Sequence, residues 1–581
     1  MKSVYEPLTW LVGGEAGYGI TTMGQMFARA CSRGGLNVFG YVEYPSLIRG
    51  GHNTAMVRVA KEKVYAHSDK IDVMLALNKE TIDLHKDEMA DGGVIIYDGE
   101  SVAVDADGVT LFSVPLAKIT KDLGAERVMR NTVALGACFS VIGLGFEPVE
   151  DVLQTTFERK GADVVEYNIK VAKAGFDYAE ENFKSTFAKS ITAVAGAPKR
   201  MVISGNEAIA LGALKAGVKF MAAYPMTPVT SIMQIIAKYG VKHNIVMKHS
   251  EDEIAAINMA IGAAHMGVRA MTATSGGGFS LMSEALGMAG ITETPLVVVE
   301  GMRPGPSTGL PTWTDQADLR FVMHASQGEF PRVIFLPGDM NEAFEMTLKA
   351  FNLAEKYQMI CFVLTDKYLG ESVQSVEPFN VAYKVDRGAL MTMEAALAMK
   401  SGEYKRFEFT ESGVSRRALP GFPNTIYAVS TDEHQEYGDL DEGGENRIKM
   451  VDKRAKKLVT LQKESLSDFE MFELHGPADS ELTLISWGST KGPILEALEV
   501  ANEGGLKVNF LQIKTALPFA SEGVVKILNA AKKTLLIETN SEAQMGGVIR
   551  EKTGILIENR FLRYDGRPFH PAEILDKIKS L

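Results

Sequence analysis

The chain has 581 residues, of which 46% are hydrophobic and 23% are charged, and its formal net charge is -12. This length exceeds what one hydrophobic core holds, and a usual size of roughly 100–200 residues per domain predicts three or four domains. The composition is that of a soluble globular protein. A diffuse acidic excess without a long basic run argues against binding to nucleic acid or to an anionic membrane.

The apolar segments give no sign of export or membrane insertion. The first residues, MKSVYEPLTW, contain one lysine and no long apolar stretch, so they do not resemble a secretory signal. The longest apolar run, residues 133–146, contains three glycines and is too short to span a bilayer. The sequence therefore predicts a cytoplasmic protein.

Only three cysteines occur, namely Cys31, Cys138 and Cys361. Each lies far from the others in an apolar segment, and the sequence contains no C-x-x-C pattern. We therefore predict three buried thiols and no zinc or iron–sulfur site on this chain. A redox metal, if the activity needs one, is expected on another chain.

Residues 1–190 alternate strand-like and helix-like segments, which predicts a doubly wound α/β domain. Its strands are predicted at residues 8–14, 37–44, 71–78 and 92–99. Its helices are predicted at residues 20–33 and 163–188.

Two further α/β domains are predicted, at residues 200–375 and 481–581, which gives three doubly wound α/β domains in all. The first of these has predicted strands at 269–275, 295–302, 333–337 and 359–366. The second has predicted strands at 482–489, 506–513 and 534–540. Residues 376–480 are charged, rich in glycine and weakly periodic, so we predict an extended connector with a basic helix at 446–462.

A glycine-rich turn, GGEAGYGITT, joins the first predicted strand to the first helix. Gly17 and Gly19 would let backbone N–H groups and the helix end approach an anion. Ile20 stands where a P-loop needs lysine, and Thr22 replaces the third glycine of the dinucleotide fingerprint, so ATP hydrolysis is excluded and NAD is doubtful. A tight turn without a ligand and a site for an anion or coenzyme remain equally open. Arg49, followed by two glycines, is either a phosphate contact or a surface residue of a hairpin turn.

Two segments of the middle domain follow predicted strands and carry polar side chains. In AYPMTP, Pro225 and Pro228 restrict the backbone around Tyr224 and Thr227, which would fix the hydroxyl of Thr227, although most proline-rich turns are only structural. In HSEDE, Ser250 and Glu253 match a capping box, in which Glu253 would only satisfy a backbone N–H. The alternative is that Glu253 hydrogen-bonds a ring nitrogen of a ligand.

Two further loops of this domain point to a ligand. TATSGGGFS places three glycines between a strand and a helix, where a plain turn needs one, so we expect something to approach the backbone closely. EGMRPGPSTGLPT places Arg303 at the carboxyl end of a strand, the edge at which open α/β sheets bind ligands. The planar guanidinium fits a small carboxylate, and a surface arginine is the alternative.

In this order, YPMTP, SEDEIAAINMAIGA, ATSGGGFSLM, RPGPSTGLPT, DEHQEYG and ETN resemble the alpha subunits of 2-oxoacid:ferredoxin oxidoreductases, in the form with a gamma domain fused at the amino terminus. YPSLIRGG is typical of that fused part. Met226 stands where the family usually has isoleucine. The resemblance covers essentially the whole chain. It implies a gamma-type domain at 1–190, a thiamine pyrimidine-binding domain at 200–375 and a transketolase C-terminal-like domain at 481–581.

The resemblance also implies roles for single residues. Glu253 would engage the aminopyrimidine of thiamine diphosphate, with Glu251 as the competing acid and Tyr224 and Pro225 beside the cofactor. Arg303 and Thr227 would hold the 2-oxoacid, and Thr312 would lie near its side chain.

The residues of the glycine-rich segments are weaker candidates within the same resemblance. Arg49, Gly17 and Gly19 are candidate contacts for coenzyme A.

The chain lacks the GDG motif with which thiamine enzymes usually anchor the diphosphate and Mg²⁺. The resemblance therefore implies a beta subunit that supplies the diphosphate site, the metal and a 4Fe-4S cluster, in a dimer of alpha-beta heterodimers that reduces ferredoxin. The favoured substrate is 2-oxoglutarate, with pyruvate or branched-chain 2-oxoacids as alternatives. A non-catalytic assembly subunit and a nucleotide-binding protein are the competing functions.

Overall fold

The computed structural model describes residues 7–47, 50–102, 104, 109–184, 186–465 and 470–581. The chain forms two compact units. The first comprises Met1–Ser204, Glu371–Phe379 and His570–Leu581, and the second comprises Gly205–Gly370 and Asn380–Phe569.

The regular elements alternate along most of the chain. The strands are β1 (Leu8–Glu15), β2 (Asn37–Glu43), β3 (His52–Ala60), β4 (Ile71–Ala76), β5 (Met89–Tyr97), β6 (Thr110–Ser113), β7 (Met201–Ser204), β8 (Phe220–Ala223), β9 (Val246–His249), β10 (Ala270–Thr274), β11 (Leu296–Met302), β12 (Arg332–Phe335), β13 (Ile360–Asp366), β14 (Val373–Val376), β15 (Phe472–His475), β16 (Leu482–Trp487), β17 (Val508–Ile513), β18 (Thr515–Leu517), β19 (Thr534–Glu538) and β20 (Arg560–Leu562). The α-helices are α1 (Ile20–Arg33), α2 (Lys79–His85), α3 (Leu116–Asp122), α4 (Arg130–Val141), α5 (Glu147–Phe157), α6 (Ala162–Phe183), α7 (Gly205–Ala216), α8 (Thr230–His243), α9 (Glu253–His265), α10 (Gly276–Ile291), α11 (Leu319–His324), α12 (Met340–Tyr357), α13 (Lys367–Glu371), α14 (Met393–Ala398), α15 (Gly444–Ser465), α16 (Lys491–Glu503), α17 (Ser521–Ala530), α18 (Gln544–Thr553) and α19 (Pro571–Lys579).

The first unit is built on an eight-stranded sheet of order β6-β5-β4-β1-β3-β2-β14-β7. Strand β1 runs parallel to β4 and antiparallel to β3, and all its residues except the last are buried. Its Trp10 stacks on Phe27 of α1 with ring centroids 4.1 Å apart, which fixes the helix that follows the glycine-rich turn against the sheet.

The second unit contains two sheets. A seven-stranded sheet has the order β18-β12-β13-β11-β10-β8-β9, in which only the β12–β18 pair is antiparallel. A five-stranded sheet has the order β15-β17-β16-β19-β20 and is parallel except for β15. Apolar residues of both sheets belong to one buried cluster, so the two sheets share a core.

The predicted α/β class is confirmed, and the predicted strands and helices recur with shifted ends. Strands β2 and β3 are antiparallel neighbours in the first sheet. Two short elements lie in a different unit from their sequence neighbours: β14 pairs with β2 and β7, and α19 belongs to the first unit. The three cysteines are buried and unbonded, as predicted.

The predicted connector at 376–480 contains α14 and α15 and few other regular elements. The basic helix is not exposed to solvent on all sides. Lys453 and Lys457 of α15 are buried and form ion pairs with Glu293. Arg454 on the same helix pairs with Glu433 at 2.8 Å. The two lysine contacts fasten α15 to the loop that precedes β11, and the Arg454 contact fastens it to the segment before the helix. In the described part of the chain, no helix is both long and apolar enough to cross a membrane.

Candidate functional site

Four neighbouring strands of the seven-stranded sheet deliver the predicted site residues. Strands β9, β8, β10 and β11 are adjacent and parallel, so their carboxyl ends meet at one edge of the sheet. This edge is where open α/β sheets bind ligands. Tyr224 to Thr227 follow β8, Glu253 follows β9, the glycine run follows β10 and Arg303 follows β11.

Arg303 connects the ends of β11 and β8. Its Nη1 donates a hydrogen bond of 2.9 Å to the main-chain oxygen of Thr227, and the side chain is half-buried. The other guanidinium N–H groups have no acceptor within the described ranges, so they remain available to a ligand. Asn206 of α7 supports the same segment with a bond of 2.8 Å to the oxygen of Pro228. Tyr224 is 39% exposed, and Pro225 is half-buried.

The predicted capping box at Ser250 and Glu253 is wrong. Helix α9 is capped by Asp252, whose Oδ1 accepts a hydrogen bond of 2.7 Å from Ala255 N, and Ser250 Oγ has no partner among the residues described. Asp252 is the N-cap residue, whose side chain reaches the third N–H of the helix. Glu253 is therefore the first residue of the helix and does not form a capping box with Ser250. Glu253 is only 4% exposed, and its Oε1 has no donor in the described structure. Glu251 is exposed.

The glycine run begins α10 and brings its backbone close to two carboxylates. A Cβ on Gly278 would lie 2.4 Å from Glu253 Oε1 and 2.2 Å from Thr274 Oγ1. A Cβ on Gly276 would lie 2.5 Å from Asp318 Oδ2, whereas one on Gly277 would meet only Ser307 O, at 4.0 Å. Other groups therefore do approach the backbone of the glycine run closely. At two of the three glycines, Gly276 and Gly278, these groups are side chains of the protein itself.

Four acids with raised pKa values lie on β11, on β13 and in the loop after β11, and the sequence-based reasoning missed them. They are Glu300, Asp315, Asp318 and Asp366. Burial, with the charges of Asp318 and Asp366, raises the pKa of Glu300 well above its usual range. Burial also raises the pKa of Asp315 to about 7 and that of Asp318 to about 6, and it raises the pKa of Asp366. An acid within an otherwise apolar strand, as in LVVVEGM, was the available signal.

Gln316 ties the loop after β11 to the five-stranded sheet. Its Nε2 donates 2.8 Å to Trp487 O, and its Oε1 accepts 3.0 Å from Thr539 N. Asn540 Nδ2 donates 3.2 Å to Gln316 O. The ETN segment is held in turn by Glu538, which is fully buried and accepts from Asn540 and from two backbone N–H groups. This network fixes the loop that carries Arg303 and Thr312.

Thr312 is 5% exposed, and its Oγ1 has no hydrogen-bond partner in the described part of the chain. A buried hydroxyl without a partner is costly unless a ligand or water satisfies it. The loop residue that the sequence indicates as a candidate thus has an unmet hydrogen bond in the structure.

The glycine-rich turn of the first unit lies beside a cavity. Gly17 and Gly19 adopt positive φ angles of 93° and 74°, and Gly19 precedes α1 directly. A cavity of about 660 Å³ is lined by Gly19 and Thr22 together with residues of α4 and α6. Asn131 donates to Tyr18 O and steadies the turn. Arg49 lies outside the described residues.

Comparisons with known proteins agree with the resemblance. Residues 211–453 match the family model "Pyruvate flavodoxin/ferredoxin oxidoreductase, thiamine diP-bdg", and residues 9–178 match "Pyruvate ferredoxin/flavodoxin oxidoreductase". The chain is 32% identical to the 2-oxoacid:ferredoxin oxidoreductase subunit alpha of Saccharolobus solfataricus, over 99% of this chain and 98% of that one. It is 34% identical to the 2-oxoglutarate synthase subunit KorA of Methanothermobacter thermautotrophicus, over 65% of this chain and 98% of that one.

A solved structure is also similar over the whole chain. It is the 2-oxoglutarate:ferredoxin oxidoreductase of Magnetococcus marinus with 2-oxoglutarate, coenzyme A and succinyl-CoA bound, with a TM-score of 0.90, 32% identity and 99% coverage of both chains. The chain belongs to the family of 2-oxoacid:ferredoxin oxidoreductase alpha subunits. Its activity is thus that of an oxidoreductase, and its second unit includes a thiamine diphosphate-binding region.

Proposed function

We propose that this chain is the alpha subunit of a 2-oxoglutarate:ferredoxin oxidoreductase and that it contributes the pyrimidine side of the thiamine diphosphate site. One observation carries this proposal: two groups that could bind a ligand lie at the same edge of the sheet. Glu253 has a buried carboxylate oxygen without a donor, and Arg303 has guanidinium N–H groups without an acceptor. When bound, thiamine diphosphate supplies a nucleophilic carbon for the keto group and accepts the electrons left by the loss of carbon dioxide.

Glu253 fits the acid that holds the pyrimidine ring. Its Oε1 is buried and has no donor among the described residues, so a ring nitrogen of the cofactor would satisfy it. Gly278 leaves room beside this oxygen that any side chain would fill. Glu251 is the weaker candidate because it is exposed. Tyr224 and Pro225, after β8, would line the same ring.

Arg303 would bind the carboxylate next to the keto group, since its free N–H groups can form charge-assisted hydrogen bonds to both carboxylate oxygens. Thr227 would contact the reacting end of the substrate, because its backbone is already fixed by Arg303. Thr312 would satisfy its Oγ1 on the substrate side chain or on ordered water. Binding, orientation and exclusion of water are therefore the contributions of this chain.

The substrate proposal rests on relatives. The similar Magnetococcus marinus structure contains 2-oxoglutarate, and the Methanothermobacter relative is named a 2-oxoglutarate synthase subunit. Pyruvate and branched-chain 2-oxoacids are the alternatives, since the Saccharolobus relative is named only for 2-oxoacids. Coenzyme A would accept the acyl group, with Gly17, Gly19 and Arg49 as its candidate contacts.

The remaining components would come from a partner. A beta subunit would hold the diphosphate, Mg²⁺ and a 4Fe-4S cluster, because this sequence has neither a GDG motif nor a cluster-binding cysteine pattern. Ferredoxin would be the electron acceptor, and the assembly would be a dimer of alpha-beta heterodimers in the cytoplasm. The gamma-type, pyrimidine-binding and transketolase C-terminal-like domains would span 1–190, 200–375 and 481–581, joined by the 376–480 connector.

Co-production with the beta subunit tests this function. We expect viologen dye to be reduced only when a 2-oxoacid and coenzyme A are both present, with the highest kcat/KM for 2-oxoglutarate. A higher value for pyruvate or a branched-chain acid would change the substrate, and no reduction with any 2-oxoacid would refute the proposed activity. Arg303→Ala in the same assay should lose most of this activity.

A further inference from the structure

Asn206 is a fully buried polar residue that has no part in the function proposed above. It is the second residue of α7, and every other buried position of this helix is glycine, alanine or isoleucine. A buried side-chain amide lowers stability unless its polar atoms find partners. Its Oδ1 has no donor in the described structure, so stability alone does not explain an amide at this position.

The amide nitrogen of Asn206 binds the segment that follows Thr227. Nδ2 donates a hydrogen bond of 2.8 Å to Pro228 O and another of 2.9 Å to Oγ of Ser231, the second residue of α8. The reversed amide would place Oδ1 against Pro228 O, and two acceptors form no hydrogen bond. The loop therefore sets the orientation of the amide, and the amide ties the end of YPMTP to the start of α8.

Arg303 holds the neighbouring carbonyl of the same loop. Its Nη1 donates 2.9 Å to Thr227 O, so two consecutive main-chain oxygens are bound by side chains from two different elements. The peptide between these residues is planar, and the ring of Pro228 fixes its φ angle. Movement of the Pro228 oxygen is therefore passed on to the Thr227 oxygen. Asn206 and Arg303 are thus linked through two residues of main chain.

Two glycines allow other parts of the second unit to pack closely around this linkage. A Cβ on Gly301 of β11 would lie 2.5 Å from Val229 Cγ1 and 3.0 Å from Pro228 Cγ. Val229 is fully buried. A Cβ on Gly370 would lie 3.0 Å from Asn206 Oδ1 and 3.3 Å from its Nδ2. A side chain at either glycine would press on the loop or on the amide, so the packing favours this one arrangement.

We propose that Asn206 is a positioning residue of the 2-oxoacid site, which fixes the backbone of Thr227 and thereby the guanidinium of Arg303. The inference rests on the proposed function, in which Arg303 binds the substrate carboxylate and Thr227 contacts the reacting end. Asn206 acts through these two residues and touches no substrate. Without its amide, Pro228 O loses its donor, Thr227 O shifts, and Arg303 loses the contact that orients its remaining N–H groups.

A crystal structure of the assembled enzyme with Asn206→Ala tests the geometry without any substrate. We expect the distance from Arg303 Nη1 to Thr227 O to exceed hydrogen-bonding range, because the loop is no longer held at Pro228. Asn206→Leu, an apolar residue of similar length, is the second variant if the first does not assemble. Asn529→Ala, on an exposed position of α17, is the matched control and should leave the bond in place.

A double-mutant cycle tests the link to Arg303. Asn206→Ala should raise KM for the 2-oxoacid by about tenfold and leave KM for coenzyme A unchanged. In an Arg303→Ala background the same substitution should raise KM by less than about threefold, because the residue through which it acts is already gone. A merely structural role would give the same factor in both backgrounds.

The outcomes separate this inference from the proposed function. If the Asn206 variant keeps the bond from Arg303 to Thr227 at its wild-type length, the positioning role is wrong whatever the activity. If the bond is lost but KM changes by the same factor in both backgrounds, the link to substrate binding is wrong. If the wild type oxidises no 2-oxoacid while the variant loses the bond, the proposed function fails and the control of Arg303 by Asn206 stands.

Discussion

Arg303 Nη1 donates a hydrogen bond of 2.9 Å to the main-chain oxygen of Thr227. In the sheet, β10 lies between the two strands that these residues follow, so the bond spans the mouth of the site. It fixes the guanidinium with one of its donors and leaves the others for a ligand.

Arg303→Ala should lower kcat/KM for the 2-oxoacid by a factor that corresponds to about 2–4 kcal/mol of lost transition-state stabilisation, as for loss of a partly buried charge-assisted contact. Steady-state assays of the assembled enzyme measure the change. Arg320→Ala is the charge-matched control, because Arg320 is exposed on α11, and it should change kcat/KM by less than about 0.5 kcal/mol. An unchanged value for Arg303→Ala would remove Arg303 from the substrate site.

Glu253→Gln and Asp252→Ala should separate catalysis from helix capping. Glu253→Gln should lower kcat by about 10²–10⁴-fold, because in the proposed function it removes the acid that would exchange a proton with the cofactor ring. Asp252→Ala should lower the free energy of unfolding by about 1 kcal/mol through loss of the cap. Kinetics and denaturant unfolding of both variants provide the measurement. If Glu253→Gln lowered only the free energy of unfolding and left kcat unchanged, Glu253 would act as a helix cap and not as the catalytic acid.

Gly278→Ala and Gly277→Ala should differ although they are neighbours. A methyl group on Gly278 would displace Glu253 and Thr274, so kcat should fall sharply. Gly277 has space for a methyl group, and alanine there should stabilise α10 by about 0.5–1 kcal/mol. Equal activity losses in both variants would show that the glycine run serves a bound ligand rather than Glu253.

Gln316→Ala should destabilise the second unit. It leaves Thr539 N buried without its acceptor, which costs about 1–3 kcal/mol, whereas Trp487 O keeps its hydrogen bond from Thr490 Oγ1. KM for the 2-oxoacid should also rise, because the loop with Arg303 loses its anchor. Urea unfolding and kinetics measure the two effects, with the exposed Gln327→Ala as control. A stable variant with wild-type KM would contradict the anchoring role.

Asp315→Asn should change how stability depends on pH. Burial raises the pKa of Asp315 to about 7 in the folded chain, whereas an unfolded aspartate titrates near about 4. The folded state therefore keeps a proton that the unfolded state releases, and stability falls as pH rises through this window. The variant has no group that titrates at this position, so its stability should fall less with rising pH. The difference in Tm between the variant and the wild type should therefore shift in favour of the variant between about pH 4 and pH 7. Parallel Tm curves would argue against a buried neutral Asp315.

Much of the site could be predicted because its signals are local. Arg303 and the glycine run follow obvious strands, and Thr227 and Thr312 lie in loops stiffened by proline. The cap of α9 was missed because Ser250 and Asp252 both precede the helix, and the sequence alone does not show which side chain faces the free N–H groups.

Long-range pairings could not be predicted. Val38 N donates to Ser375 Oγ across 337 residues, and nothing local to β14 points to the first sheet. The hydrogen bond from Thr539 N to Gln316 Oε1 joins residues 223 positions apart and depends on the packing of two sheets.

We propose that this chain provides half of a thiamine diphosphate site. The most direct measurement compares thiamine diphosphate binding and 2-oxoacid oxidation by the purified chain alone and by the chain assembled with its beta subunit. We predict tight binding and 2-oxoglutarate-dependent, coenzyme A-dependent ferredoxin reduction only in the assembly. Tight cofactor binding and oxidation of a 2-oxoacid by the isolated chain would contradict this account.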